Sequence, residues 1–236
     1  MNLQTQHRKT FSGDIGIAGI AALCDPSGAL YLPELAMLVV SDLHLEKGSS
    51  FARRGQLVPP YDTVATLLRL QAAIASYAPR IVVSLGDSFH DGEGAARLPE
   101  PFRLQLEALM AGREWIWVAG NHDPDMPVGL PGECVEELSV FGLTFRHEPA
   151  TTASAGEIAG HLHPCARIVQ RGRSVRRRCF ASDGSRLVMP AFGAFTGSLN
   201  VMDRAYRGLF SWDRFMAYML GDARVYPIAG SLLRPG

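Results

Sequence analysis

Three short apolar runs constrain this chain more than any other feature, because each stops abruptly on a small polar cluster. Residues 37–40 (MLVV) give way to Ser41-Asp42, residues 81–85 to Gly86-Asp87, and residues 115–118 to Gly120-Asn121-His122-Asp123. Apolar runs of this length bounded by turn formers read as buried strands. Helical patterns separate them. Over residues 62–77, Val64, Leu67, Leu68, Gln71 and Ile74 trace a mostly apolar stripe, with Pro59 and Pro60 ahead and Pro79 behind. Over residues 101–111, Phe102, Leu106 and Leu109 share a face and Gly112 follows the end. This is the alternation of a layered α/β protein, with all three polar clusters at C-terminal strand ends, where open α/β sheets place their binding crevices.

On both sides of this unit the pattern is β. Residues 15–24 and 29–32 flank the turn cluster Asp25-Pro26-Ser27-Gly28, which predicts a hairpin. Residues 143–147, 157–160, 167–170, 175–180 and 186–189 predict short strands with tight turns. No repeat or linker-like stretch divides the sequence, so one domain over residues 1–236 is expected, with residues 1–12 as a flexible N-terminal tail.

Composition removes whole classes of function. Lys and Arg total 23 and so do Asp and Glu, which excludes a uniformly basic coat for nucleic acid. The neutrality is a sum over segregated segments: residues 123–137 carry only acids, and residues 167–178 only arginines. No apolar run reaches the ~18 residues of a membrane span. Residues 15–24 follow Arg8 and Lys9 but lack a small-residue cleavage site, so they read as a strand. Cys24, Cys134, Cys165 and Cys179 form no Cys-x-x-Cys pair, against a disulfide framework and for the cytoplasm. Cys165 after His163 is expected to be a packed thiol.

Six of the seven histidines fall between His44 and His163, each inside or beside a polar motif. Asp42-x-His44, Asp87 after Gly86, or Asn121-His122 alone could be caps or loop residues. In Gly160-His161-Leu162-His163, two histidines at strand spacing can converge on an ion. Taken together, Asp42, His44, Asp87, Asn121, His147, His161 and His163 make the ligand inventory for two divalent metals. Carboxylate and amide oxygens with imidazoles suit Mn2+ first, with Fe or Zn as alternatives, and so much nitrogen disfavours calcium. A carboxylate can bridge two ions ~3.5–4 Å apart, a pair suited to phosphoryl transfer.

The ordered set DLH (42–44), GDSFH (86–90), GNHD (120–123), His147 and GHLH (160–163) resembles the calcineurin-like metallophosphoesterase family. The resemblance implies an α/β fold in which two mixed β-sheets pack as a sandwich flanked by helices. It implies that Asp42, His44 and His163 hold one metal, that Asn121, His147 and His161 hold the other, and that Asp87 bridges them. His122 is similar to the histidine that stabilises the transition state and protonates the leaving oxygen, with Asp123 orienting it. His90 resembles the second catalytic histidine of SbcD-type repair nucleases, which favours diesters over monoesters. DLHLEK (42–47), GHLHP (160–164), Cys179-Phe180 and PAFGAFTG (190–197) are similar to the bacterial ligase-associated DNA damage response endonucleases of PdeM type, with Ser198 where a second glycine is expected. The implied function is a phosphodiesterase acting on DNA in repair, associated with a DNA ligase and a helicase. A nucleotide or dinucleoside polyphosphate hydrolase and a non-catalytic scaffold are the alternatives.

Substrate contacts are less defined. Lys47, Arg53 and Arg54 follow the first motif in what reads as a loop and could meet phosphates. The cluster Arg167, Arg171, Arg173, Arg176, Arg177 and Arg178 is the best candidate for a nucleic-acid surface, Arg176 and Arg178 above all; a solvated hairpin is the bland reading. Phe192 and Phe195 are expected in the core.

Overall fold

The computed structural model describes residues 13–56, 61–152 and 154–236; the expected N-terminal tail, residues 1–12, and Pro59 and Pro60 lie outside them. Seven strands form the first sheet in chain order: β1 (Asp14–Ile17), β2 (Ile20–Cys24), β3 (Leu30–Leu32), β4 (Met37–Ser41), β5 (Ile81–Leu85), β6 (Glu114–Val118) and β7 (Glu133–Val135). Pairing is antiparallel from β1 to β4 and parallel from β4 to β7. Helices α1 (Lys47–Arg53) and α2 (Asp62–Tyr77) connect β4 to β5, and α3 (Gly94–Arg97) and α4 (Glu100–Met110) connect β5 to β6.

The remaining strands are β8 (Glu137–Val140), β9 (Leu143–Arg146), β10 (Glu157–Ala159), β11 (Pro164–Gln170), β12 (Arg173–Ser182), β13 (Leu187–Val188), β14 (Leu199–Asn200), β15 (Met216–Leu220) and β16 (Val225–Ala229). They make a second, mixed sheet in the order β14-β11-β12-β13-β10-β9-β8, with β15 and β16 built onto β12. No helix of the described residues is long and apolar enough to cross a membrane.

All five residues of β4 are buried, and strand alternation divides them between two cores. Val39, with Ile17, Leu30, Val83 and Ile116, meets Phe145, Ile158, Phe180 and Leu187 of the second sheet. Leu38 and Val40, with Val82 and Trp117, face Leu67, Leu70 and Ile74 of α2 and Leu106 and Met110 of α4. Burial on both faces is why these strands read as unbroken apolar runs. The outer face of the second sheet packs Cys179, Ala181 and Val188 against Tyr206, Leu209 and Phe215.

Several expectations change. Residues 15–24 form two strands, because Ala18 and Gly19 both take positive φ (48° and 88°) and close a two-residue hairpin turn. The buried face of α2 runs through Thr63, Thr66, Leu67, Leu70, Ala73 and Ile74, and Leu68 is 57% exposed. Two buried threonines displaced the apparent stripe. Lys47 and Arg53 lie on a short helix, and Arg54 follows as its cap, where a loop was expected. Pro164 opens β11, since a strand's first residue can forgo a ladder donor. Strands β15 and β16 had no counterpart in the sequence reading; Pro227 sits in β16, which among the described residues pairs only with β15.

Candidate metal centre

The crevice is built where the polar clusters leave their strands. Asp42 follows β4, Asp87 follows β5, and Asn121 and His122 follow β6, while His147 follows β9 and His161 and His163 follow β10. Asp42, His44, Asp87, His161 and His163 all hold left-handed backbone, with φ between 45° and 64°. Non-glycine residues enter that region at a cost of ~1–3 kcal/mol each, which persists only where the surroundings over-determine it. Here a ladder of amides does so: His44 donates to Asp87 O at 2.9 Å, Gly160 to His147 O at 2.9 Å, and Gly193 to Asp42 O at 3.1 Å. The sharp reversals turn carboxylates and imidazoles inward together.

Two groups of ligand atoms result. Asp42, His44 and His163 form one and Asp87, His147 and His161 the other, each with its atoms within 4.8 Å of one another. Asn121 joins the second through Oδ1, 2.9 Å from His147 Nε2. Asp87 stands between them: Oδ1 is 3.4 Å from His147 Nε2, and Oδ2 is 3.8 Å from His44 Nε2. Imidazole nitrogens face one another in both groups, His44 Nε2 to His163 Nε2 at 3.4 Å and His161 Nδ1 to His147 Nε2 at 3.2 Å. Converging lone pairs from hard oxygens and neutral imidazoles are a donor set for divalent cations, and these residues fit such ions.

Without an ion the two groups are charged unevenly. Burial alone would raise the pKa of Asp42, but the hydrogen bond from His163 and the charges of His163 and His147 hold it below the usual carboxylate range. Burial works the same way on Asp87, and His147 overcomes it, bringing Asp87 down to about 2. Burial lowers His44 to about 4 against the pull of both carboxylates. His147 goes the other way, to about 9: burial disfavours its charge, but the hydrogen bond to Asp87 and the charges of Asp42 and Asp87 prevail.

His122 stands at the solvent side, 41% exposed, with Nε2 3.9 Å from Asp87 Oδ2. Its Nδ1 lies 2.9 Å from the carbonyl oxygen of His90. A carbonyl only accepts, so Nδ1 carries the hydrogen and Nε2 faces the crevice. The orienting contact expected from Asp123 is therefore made by the His90 backbone. Asp123 Oδ2 instead accepts the amide of Phe89 at 2.9 Å, and burial raises its pKa to about 7. The His90 ring stacks between those of Phe51 and His122, with centroids 5.5 and 5.4 Å away.

Of the expected substrate contacts, Arg53 pairs with Glu93, and Arg54 is exposed. Lys47 Nζ donates to Phe195 O at 2.9 Å, Arg176 to Ser198 O at 2.8 Å and the largely buried Arg178 to Ala191 O at 2.6 Å. Phe192 is in the core as expected, whereas Phe195 is 69% exposed. An open cavity of about 390 Å³ beside Asn121 and His147 has Glu136, Glu137 and Glu148 on its wall. Sequence reasoning missed Ser41, whose hydroxyl donates to Asp42 Oδ2.

Residues 35–175 match the family model described as calcineurin-like phosphoesterase. Among solved structures, the chain is similar to the nuclease MPE of Pseudomonas putida, with 28% identity, a TM-score of 0.68, and coverage of 91% of this chain and 98% of that one. It also matches Yfce, a phosphoesterase from E. coli, with 15% identity, a TM-score of 0.40, and coverage of 82% and 98%. No curated protein matches.

Proposed function

The chain belongs to the calcineurin-like phosphoesterase family, and from that premise we propose that it is a dinuclear metal-dependent phosphodiesterase acting on nucleic acid, with DNA as the substrate. The observation that carries this reading is Asp87, whose two carboxylate oxygens face the two ligand groups while His122 stands beside it toward solvent. Likeness to a nuclease over nearly the whole of both chains supports the choice of substrate.

In this reading Asp42, His44 and His163 would hold one cation, Asn121, His147 and His161 would hold the other, and Asp87 would serve both. When bound, a pair of divalent ions, Mn2+ by preference and Fe or Zn otherwise, supplies Lewis acidity that lowers the pKa of a water and offsets phosphoryl charge. The protein's own contribution is placement and proton handling. The His90 carbonyl accepts the Nδ1 hydrogen of His122, so Nε2 faces the crevice, and in the imidazolium form its N–H donates to the phosphoryl or leaving oxygen. The stacked His90 ring limits how His122 can turn and lies within reach of the same substrate. Asp123, bonded to the Phe89 amide, braces the turn that carries Asp87 and His90.

Four free cysteines suit a reducing, cytoplasmic compartment. A working association with a DNA ligase and a helicase belongs to the same proposal and is carried by the sequence motifs alone. The test is hydrolysis by manganese-loaded protein of bis-p-nitrophenyl phosphate, of the corresponding monoester, and of single- and double-stranded DNA. Cleavage of the diester and of DNA is expected. Activity confined to the monoester overturns the reading.

A further inference from the structure

The segment 191–198 is suspended from the first ligand group. At its start the Gly193 amide donates to Asp42 O at 3.1 Å, and just past its end the Leu199 amide donates to His163 O at 2.9 Å. Four cations grip the carbonyls: Arg178 at Ala191, Arg69 at Phe192, Lys47 at Phe195 and Arg176 at Ser198. Among the described residues the arginine ion pairs involve Arg53, Arg97, Arg146 and Arg186, so none of these four cations meets a carboxylate. A carbonyl satisfies an N–H without neutralising the charge behind it.

Arg167 adds a fifth cation directly opposite Arg176 in the β11–β12 ladder. Like charges directly opposite across a strand pair are destabilising. Burial, and then the charge of Arg69, lower Arg178 to about 10. In the middle of segment 191–198, Phe195 combines 69% exposure with a left-handed φ of 60°, a conformation that bulky side chains avoid. The other wall of the crevice, at Glu136 and Glu148, is acidic. On that wall Glu136, Glu137 and Glu148 outnumber Arg146, so a polyanion is repelled there and drawn toward the uncompensated cations of segment 191–198.

We propose that segment 191–198 and its cations are the track for one strand of a polynucleotide leaving the metal centre on the Asp42–His163 side, with a base stacked on Phe195 and phosphates held by Lys47, Arg176 and Arg167. This rests on the phosphodiesterase reading and adds the path that the substrate takes. Past the Arg167–Arg176 pair the hairpin of β11 and β12 runs about four residues, or ~13 Å, to Arg171 in its turn, the span of about four stacked nucleotides, while strand alternation places Arg173 on the face opposite Arg176.

The test uses a fluorescent 12-nucleotide oligothymidylate with phosphorothioate linkages, bound to manganese-loaded protein and followed by anisotropy over a salt series. Hydrolysis of bis-p-nitrophenyl phosphate is measured on the same wild-type preparation. Phe195→Ala is expected to weaken oligonucleotide binding by about 5- to 100-fold, the usual worth of one base–aromatic stack. The double variant Arg167→Gln/Arg176→Gln should reduce the slope of log affinity against log salt by about 1.4, at ~0.7 per phosphate contact on a single strand. Arg80→Gln, an exposed arginine before β5 at the opposite strand ends, should leave the slope as it was. Wild-type affinity and slope in both variants overturn the track, and so does an equal loss from Arg80→Gln. Failure of the diester assay with the binding pattern intact counts against the phosphodiesterase reading and not against the track.

Discussion

Replacing Gly160 with alanine would test whether the ligand groups are held by close packing or merely collected by flexible loops. A Cβ at Gly160 would collide with Ser41 Oγ, stand 2.7 Å from Asp42 Oδ2 and 3.3 Å from Leu85 O. Ser41 and Asp42 are fully buried, and Leu85 ends a central strand, so none can move aside cheaply. Overpacking of this kind costs ~1–3 kcal/mol, which at ~2–4 °C per kcal/mol lowers the thermal midpoint by about 2–12 °C. The first atoms displaced are Asp42 Oδ2 and the hydroxyl that braces it, so affinity at the first ligand group should fall by about 10- to 100-fold. Gly16→Ala is the control, a strand glycine with ordinary φ and no atom within 4 Å of the new methyl. It should be neutral or stabilising by ~0.4–1 kcal/mol. Circular-dichroism melts and metal content after graded chelation give the two readouts. If Gly160→Ala matches Gly16→Ala in both, the site is not held by packing around Asp42.

Three further outcomes are expected. His122→Asn should leave metal content unchanged and reduce turnover of a diester by about 10²–10⁴-fold, read from steady-state rates beside elemental analysis. In metal-free protein His147 titrates near 9 instead of 6.5, so its contribution to stability is complete below about pH 6.5 and fades as the pH rises through about 9. Melts of chelated protein should therefore show a midpoint falling over that window, a slope that His147→Asn removes; an unchanged slope in the variant would assign it to other groups. Leu67→Ala should cost ~2–5 kcal/mol and Leu68→Ala less than about 0.5 kcal/mol in urea titrations, because only the first lies on the buried face of α2.

What the sequence disclosed follows from how many residues each signal needed. Strands buried on both faces announce themselves, so β4, β5 and β6 were found within a residue or so, and their polar endings located Asp42, His44, Asp87 and Asn121, while His147, His161 and His163 were found from the histidine motifs further on. The face of α2 was misjudged because Thr63 and Thr66 are buried through hydrogen bonds: Thr63 to Glu46 and Thr66 to the Ala194 amide, contacts that no local pattern encodes. The family resemblance implied Asp123 as the partner of His122, yet the chain turns its carboxylate toward Phe89 and brings in the carbonyl of His90 from another loop. Phe195 resembled a core residue in composition. Its exposure depends on where the two ends of its loop are tied, which is set by hydrogen bonds to residues 42 and 163.

Each ligand group draws on both sheets: Asp42 and His44 follow a strand of the first and His163 leads into the second, while Asp87 and Asn121 face His147 and His161 across the same seam. Neither sheet alone can complete a coordination set. Ion affinity in this protein is therefore a gauge of sheet docking, and anything that loosens the shared core of Val39, Val83, Phe145 and Ile158 must weaken ion binding even though none of those side chains is a ligand. The ions, in turn, act as rivets whose grip rises only after the two halves of the chain have found each other.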